Sequence, residues 1–262
     1  MTDTKPLALV TGASSGIGLE LAKQFAGHGF DLVVTAEDTG LEAATVPLKA
    51  AGAEVTAVQA DLRTAEGVQQ VWTRVVALGR PLQAAALNAG VGRGGAFLDI
   101  DIADEVEIID LNVTSTVRLA KLVLRDMAAR DEGRMLITSS IASTMPGSFQ
   151  AVYNASKSFL QSFAQALQNE LKDTGVTITS LMPGPTDTNF FHRADMEDTK
   201  IGQGSKDDPA RVAEQGFDAL MSGEAKLTAG SVKTKVQGLA NKVLPDRLKA
   251  AAHRQMAEPE DG

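Results

Sequence analysis

The sequence predicts a doubly wound α/β fold, a parallel sheet held between two layers of helices in a three-layer α/β/α arrangement. Three observations predict it. Short apolar runs alternate with longer stretches of helical periodicity through the first 183 residues, the pattern of repeated strand–helix–strand units with right-handed crossovers. The short runs are nearly continuous in apolar residues, as in strands buried on both faces. No Pro/Ser-rich linker, charge block or low-complexity tract divides the 262 residues, so residues 1–262 read as one domain.

The elements follow in order. A first apolar strand over 7–11 leads into a helix over 16–28. A β-branched strand over 31–36 precedes a helix over 41–51, and a strand over 54–59 precedes a helix over 65–78. The fourth strand, over 84–88, is followed by one long helix over 104–127. The fifth, over 134–139, is followed by a helix over 152–172, and the sixth spans 176–182. Residues 184–207 are rich in Gly, Thr, Asp and Lys. They follow the carboxyl end of a strand, where ligands bind in open α/β sheets, so a substrate loop or lid is expected there. Asp208-Pro209 opens the next helix, with Asp as cap and Pro at its first position, running to about Ser222. Residues 226–262 form a C-terminal extension, expected as a short strand and two helices broken at Pro245.

Composition narrows the function classes. With 25 Lys+Arg against 33 Asp+Glu the formal charge is −8, opposite in sign to that of a phosphate-backbone binder, so no nucleic-acid partner is expected. The chain has no cysteine, which excludes disulfides, thiolate catalysis and Cys-ligated metals and fits a cytoplasmic protein. His28, His192 and His253 are far apart in sequence, and no metal site is expected. The N-terminus lacks a long apolar stretch and no run approaches 18 apolar residues, so neither a signal peptide nor a membrane span is expected.

The first strand ends in Thr11-Gly12-Ala13-Ser14-Ser15-Gly16-Ile17-Gly18 and opens directly into a helix. Gly12 permits a tight turn, Gly16 lets backbone approach a pyrophosphate on the helix N-terminus, and Gly18 lets helix and strand pack closely. Small residues also cluster in ordinary strand–helix turns, but the strand before and the helix after favour a dinucleotide site.

Further motifs occur in order: Asp61-Leu62 after the third strand, Asn88-Ala89-Gly90 at the end of the fourth, and Asn112 in the long helix. Ser140 follows the fifth strand, Tyr153 and Lys157 lie in the next helix, and Pro183-Gly184 closes the sixth strand with Thr186 and Thr188 beyond it. This series, with its G-x-x-x-G-x-G spacing, resembles the short-chain dehydrogenase/reductase family over residues 7–190. The resemblance implies a Rossmann-like nicotinamide-binding domain, with Asp61 at the adenine and Lys157 also bonded to the nicotinamide ribose. Ser14, Ser15, Ile17, Leu62, Ala89, Gly90, Pro183, Gly184, Thr186 and Thr188 complete the cofactor wall that it implies. Leu87, where many members carry a second Asn, is expected as a packing substitution.

The chemistry can be read from the residues. Tyr153, the one tyrosine of the chain, and Lys157 are four apart and share a helix face. Hydride exchange with a carbonyl needs a proton donor and acceptor at its oxygen. A cation about 4 Å from a phenolate, at an effective dielectric near 20, stabilises it by roughly 4 kcal/mol, which caps the fall of a phenol's pKa from about 10 at about three units. Lys157 is expected to act so on Tyr153. Ser140 would donate a hydrogen bond to the substrate oxygen, although Thr138-Ser139-Ser140 equally suits a strand end that caps a turn. Asn112 is polar among Ile108, Ile109, Leu111 and Val113; it either bonds backbone or, as the resemblance implies, joins a proton relay to Lys157.

Glu37 ends the second strand about 20 residues after Gly18, where a carboxylate accepts hydrogen bonds from the adenosine ribose and repels a 2′-phosphate. Ala13, Ser14 and Ser15 offer no compensating cation, so NAD is expected, with NADP as the alternative. Glu37 and Asp38 also suit an exposed turn. Three loops, 91–98, 141–152 and 184–205, bring Phe97, Met145, Phe149, Phe190 and Phe191 to the substrate side, with Arg93, His192 and Arg193 as polar candidates. An apolar alcohol or ketone is the expected substrate, although each aromatic could equally pack a loop.

The tail interleaves Lys226, Lys233, Lys235, Lys242, Arg247, Lys249 and Arg254 with Val236, Leu239, Val243, Leu244 and Leu248. Packing of the apolar residues on the core is favoured over a membrane surface. The resemblance implies a homodimer or homotetramer formed through the helices over 104–127 and 152–172. The alternative function is a non-catalytic NAD(P)-binding sensor or interaction protein, which need not keep Asn112, Ser140, Tyr153 and Lys157 together. A sugar-nucleotide epimerase would use a different glycine spacing and a longer C-terminal substrate domain.

Overall fold

The computed structural model describes residues 4–232, 234–236 and 244–259. Its strands are β1 (Leu7–Thr11), β2 (Asp31–Ala36), β3 (Val55–Gln59), β4 (Leu82–Leu87), β5 (Gly133–Thr138), β6 (Val176–Pro183) and β7 (Lys226–Ala229). All pair in parallel in the order β3-β2-β1-β4-β5-β6-β7. Successive side chains of a strand point to opposite faces, and the two cores divide accordingly. Leu7, Leu9 and Val33 pack with helices α3 (Ala65–Ala77), α5 (Ser115–Ala129) and α6 (Ala151–Glu170). Ala8, Val10, Leu32 and Val34 pack with α1 (Gly16–Gly27), α2 (Gly40–Ala50) and α9 (Pro209–Ser222) on the other face. Leu87 is buried in the first of these cores. The strand order reverses between β1 and β4, and such a switch point opens a crevice above the carboxyl ends of the strands.

Several boundaries differ from the sequence expectation. β4 begins two residues early, at Leu82, and the Gln83 side chain accepts a hydrogen bond from Leu7 N at 2.9 Å. The long helix over 104–127 is not continuous. It starts as α4 (Ile102–Ile108), capped by Asp101 Oδ1 on Ala103 N at 2.8 Å, and widens by a residue per turn over Ile109–Thr114 before α5. Ser115 Oγ bonds back to the Leu111 carbonyl, and Asn112 is turned inward to another segment. Side-chain bonds of this kind open the helical ladder.

Residues 184–207 are not structureless. They contain the short helices α7 (Phe190–Arg193) and α8 (Lys200–Gln203), and Asp207 N on Pro185 O and Asp187 N on Asp207 O, both at 2.8 Å, close the segment at its base.

In the tail, β7 and helix α10 (Asp246–Ala257) are present. Lys233, Leu239, Lys242 and Val243 lie outside the described residues. The expected inward packing of the tail's apolar residues does not hold for Val236, Leu244 and Leu248, which are exposed. Instead α10 turns the stripe Lys249–His253–Ala257 inward, at i, i+4 and i+8.

Phe217 of α9 is 3% exposed and couples the outer helices. Its ring meets Phe25 edge-on at 5.1 Å and stacks on His28 at 4.3 Å. Phe217→Ala is expected to lower unfolding free energy by about 3–5 kcal/mol in a urea titration; a loss below about 1 kcal/mol would contradict this packing role.

Candidate active site

The turn after β1 is shaped by close backbone approach. Gly12 has φ +66°, a left-handed conformation, and a Cβ at Gly18 would lie 2.0 Å from Gly12 O and 2.6 Å from Asn88 Nδ2. Thr11 Oγ1 accepts the backbone N–H groups of Asn88 and Ala89 at 2.9 and 3.0 Å, while Thr138 Oγ1 donates to Asn88 Oδ1 at 3.1 Å. The carboxyl ends of β1, β4 and β5 are thereby joined. Ser15 caps α1 through its backbone alone, with no side-chain cap bond, so the N–H groups of the first turn face the crevice as an anion site. Gly12, Ser14, Ser15, Gly16, Ile17 and Gly18 line one wall; Asn88, Ala89 and Gly90 another; and Pro183, Gly184, Thr186 and Thr188 a third. Thr188 closes over Gly16, where an added Cβ would be 3.0 Å from Thr188 Cγ2.

The far end of the crevice is acidic. Glu37 and Asp38 follow β2 directly and lie on its wall. Ser14 Oγ donates to Asp38 Oδ2 at 2.6 Å, and Asp38 Oδ1 accepts Gly40 N at 2.9 Å. Arg63, which sequence reasoning passed over, binds Glu37 at 2.7 Å, Asp61 at 2.8 Å and Glu107 at 2.5 Å. Asp61, expected to face the adenine, turns Oδ1 to the Arg63 backbone N–H and guanidinium. That bond holds its carboxyl below the usual range. Leu62 and Ala60 form the crevice wall there instead. Arg63 follows Asp61-Leu62 directly, so a basic residue beside the motif was the available signal.

At the other end, Ser140, Tyr153 and Lys157 share one wall. Ser140 ends the fifth strand's extension, and its Oγ accepts Ala142 N at 3.1 Å, capping the short turn Ile141–Thr144. It therefore satisfies the turn-capping description while facing the crevice. Tyr153 lies near the start of α6, with Phe190 5.2 Å away across the opening. Lys157 is one turn on, 5% exposed, and donates to Thr138 O at 3.1 Å.

The expected downward pull of Lys157 on Tyr153 is not the dominant effect. Burial pushes the Tyr153 phenol up to about 12, opposed in part by the nearby Ser140 hydroxyl. Burial also pushes the Lys157 ammonium down to about 8. Desolvation of the charged forms outweighs an ammonium that lies 5.8 Å from the ring centroid.

Asn112 is fully buried and off the crevice wall. Its Oδ1 accepts Val91 N at 2.9 Å, and its Nδ2 donates to Val91 O at 2.9 Å and Ser156 Oγ at 3.0 Å. It braces the β4–α4 loop against α6. A Cβ at Gly90 would lie 3.0 Å from Asn112 Oδ1 and 3.2 Å from Lys157 Nζ, so glycine there keeps open the space between the two polar groups.

The substrate side is only partly as expected. Met145, Phe190, Phe191 and Arg193 line the crevice. Phe97 is exposed, and Phe149 lies under Arg254 at 5.4 Å; neither is on the wall. Arg93 is held by Asp104 at 2.7 Å and Asp195 at 2.6 Å, bolting the β4–α4 loop to the segment after α7. His192 is exposed and pairs with Glu197. Gln150, His253 and Met256 also line the crevice. No local motif marks His253 or Met256, because α10 reaches the site only through tertiary packing. Among the described residues no group of three or more His, Cys, Asp or Glu could hold a metal ion.

These residues fit a nicotinamide dinucleotide: a glycine cradle that a Cβ would fill, an open helix N-terminus, an acidic end, and a phenol beside an ammonium. Comparison with known proteins agrees. The family model described as short chain dehydrogenase matches residues 6–199. The oxidoreductase UcpA of Salmonella typhimurium is 32% identical over 212 residues, covering 80% of this chain and 78% of that protein. A short-chain dehydrogenase/reductase of Burkholderia phymatum in complex with NAD has a TM-score of 0.82 at 23% identity, covering 100% of this chain and 99% of the other. A short-chain dehydrogenase of Sphingobium yanoikuyae in complex with NADPH has a TM-score of 0.79 at 26% identity, covering 98% and 99%. No helix among the described residues is long and apolar enough to cross a membrane. The chain belongs to the short-chain dehydrogenase family and is a nicotinamide-dependent oxidoreductase of alcohol or carbonyl groups.

Proposed function

We propose that this oxidoreductase is NAD-linked and interconverts an apolar ketone and its secondary alcohol, with Tyr153 as the proton donor and acceptor. The observation that carries this reading is the placement of Ser140, Tyr153 and Lys157 together on the wall of the same crevice as the glycine turn. A bound nicotinamide dinucleotide supplies the hydride acceptor or donor and, when oxidised, a positive charge near the phenol.

The chain's own residues do the rest. The substrate oxygen accepts hydrogen bonds from Ser140 Oγ and Tyr153 Oη, which fix it and stabilise the charge that develops there. In reduction, the Tyr153 proton moves to that oxygen; in oxidation, the phenolate takes it back. Lys157, still charged below about pH 8, stabilises the phenolate. Asn112 holds Val91 and offers Oδ1 on the Lys157 side of Gly90, the position a proton relay requires. Residues 184–207, with α7 and α8, act as the substrate lid, and α10 of the C-terminal extension completes it.

The preference for NAD rests on charge. Glu37, Asp61 and Glu107 pair with the one Arg63 guanidinium, and Asp38, beside Ser14, is paired by no cation among the described residues, so the adenosine end remains net negative and disfavours a 2′-phosphate. Exposed Ile102, Val106 and Ile109 on and beside α4 and Phe159 on α6 support assembly through these helices into a homodimer or homotetramer. The cysteine-free composition suits the reducing cytoplasm, where we place the protein.

Tyr153→Phe is expected to lower kcat by about 10²-fold or more while NADH affinity, read by nicotinamide fluorescence, stays within about threefold. Retained turnover would remove Tyr153 from the chemistry. Because Tyr153 stays protonated well above neutrality, ketone reduction should be nearly flat from about pH 6 to about pH 9, while alcohol oxidation rises over that range. Lys157→Met should move the oxidation rise to higher pH, and an unmoved profile would contradict its role. Glu37→Arg should raise the NADP/NAD ratio of kcat/KM by about tenfold or more; an unchanged ratio would contradict the role given to Glu37.

A further inference from the structure

The substrate half of the crevice is mostly apolar, with Met145, Phe190, Phe191, Ile201 and Met256 on its walls. His253 interrupts it. The ring is 3% exposed overall yet lines this crevice, and its Nδ1 lies 2.8 Å from the Ser148 carbonyl oxygen. A carbonyl oxygen only accepts, so Nδ1 carries the hydrogen. In the neutral ring Nε2 is then a bare lone pair, an acceptor with no hydrogen of its own. Among the described residues no group donates to Nε2. Burial also holds the imidazole below its ordinary pKa, favouring this neutral form.

The surroundings fix the ring without competing for it. Lys249 donates to Thr144 O at 3.2 Å and pairs with Asp246 at 2.7 Å. Arg254 pairs with Glu258 at 2.8 Å and lies over the Phe149 ring. Phe149 itself is held at φ 62°, a left-handed backbone that an aromatic residue rarely adopts. The segment that receives His253 starts at Ser140 and ends at Gln150, the cap of α6, three residues before Tyr153. His253 and the reacting end of the crevice are thus attached to one short stretch of chain.

We propose that His253 is a specificity-determining residue whose Nε2 accepts a hydrogen bond from a hydroxyl or N–H group on the substrate, away from the reacting carbonyl. The inference rests on the oxidoreductase reading above and names its substrate class: an apolar ketone or alcohol carrying a second, donating polar group. A purely hydrocarbon substrate would strand the acceptor from water, and a carbonyl or carboxylate would meet lone pair with lone pair. Sites built around a substrate donor reject analogues that lack it far more strongly than apolar pockets discriminate by size.

The test uses 2-octanone and its 6-, 7- and 8-hydroxy derivatives as probes with the full-length protein. At least one hydroxyketone should exceed 2-octanone by about tenfold or more in kcat/KM. His253→Asn keeps an N–H for Ser148 O and places nothing at Nε2. It should bring that ratio to within about twofold, through a fall in kcat/KM for the hydroxyketone rather than a rise for 2-octanone. A wild-type ratio near one across the series, or a ratio that survives in His253→Asn, overturns the proposal. Nitrogen NMR of ¹⁵N-histidine-labelled protein, assigned by the loss of one signal in that variant, reads the ring independently of turnover. An Nδ1–H ring whose Nε2 signal moves with a hydroxyketone and NAD, but not with 2-octanone and NAD, supports the proposal. A ring protonated at Nε2, or an Nε2 unmoved by every hydroxyketone, overturns it. If no ketone is turned over, the reading of the substrate as a ketone fails, and the spectrum still decides the role of His253.

Discussion

The site depends on the junction of β1 and β4, where the Thr11 hydroxyl accepts two consecutive backbone N–H groups, from Asn88 and Ala89. At a switch point the two neighbouring strands lead their chains in opposite directions, leaving backbone donors at the strand ends in need of partners. Thr11 supplies the acceptor, and Asn88 extends the junction by donating to Thr11 O at 3.3 Å. The same Asn88 amide is what a side chain at Gly18 would strike. One small cluster therefore sets the turn, the approach of α1 and the position of Gly90, on which both Asn112 and Lys157 close.

Burial then sets the chemistry of the reacting end. It raises the Tyr153 phenol and lowers the Lys157 ammonium, so their protonation ranges move apart and the proton rests on Tyr153 at neutral pH. That is the state needed to deliver a proton to a carbonyl. The opposite direction needs the phenolate, whose stabilisation falls to the Lys157 charge and to whatever positive charge binds beside it. The ammonium is neither at the surface nor paired with a carboxylate; Thr138 O accepts its one described hydrogen bond. A carboxylate partner would have held its charge but weakened its pull on the phenol.

Much of the fold was legible because strands buried on both faces and helices buried on one leave clear periodicities. β1, β2 and the termini of α3 and α9 follow from apolar runs and caps. The break within the long helix was not legible, because it arises from Asn112 and Ser115 bonding away from the helical ladder, and the apolar spacing around them is unchanged. The glycine turn and the Tyr153–Lys157 pair could be found since each depends on local spacing. Arg63 and His253 could not be ranked in the same way. Arg63 acquires three carboxylate partners from separate elements, and His253 comes from a helix more than 90 residues after Tyr153 in sequence. Phe97 and Phe149 failed as wall residues for the converse reason: a loop's aromatic content does not reveal which way it faces.

The central claim is that the crevice from the glycine turn to Tyr153 holds a nicotinamide dinucleotide with its adenosine end against Glu37. The most direct measurement is a titration of the full-length protein with NADH and with NADPH at fixed ionic strength, followed by nicotinamide fluorescence. The account predicts saturable binding of NADH at least about tenfold tighter than NADPH. Tighter binding of NADPH would contradict the charge argument at Glu37, and binding of neither would contradict the account of the crevice itself.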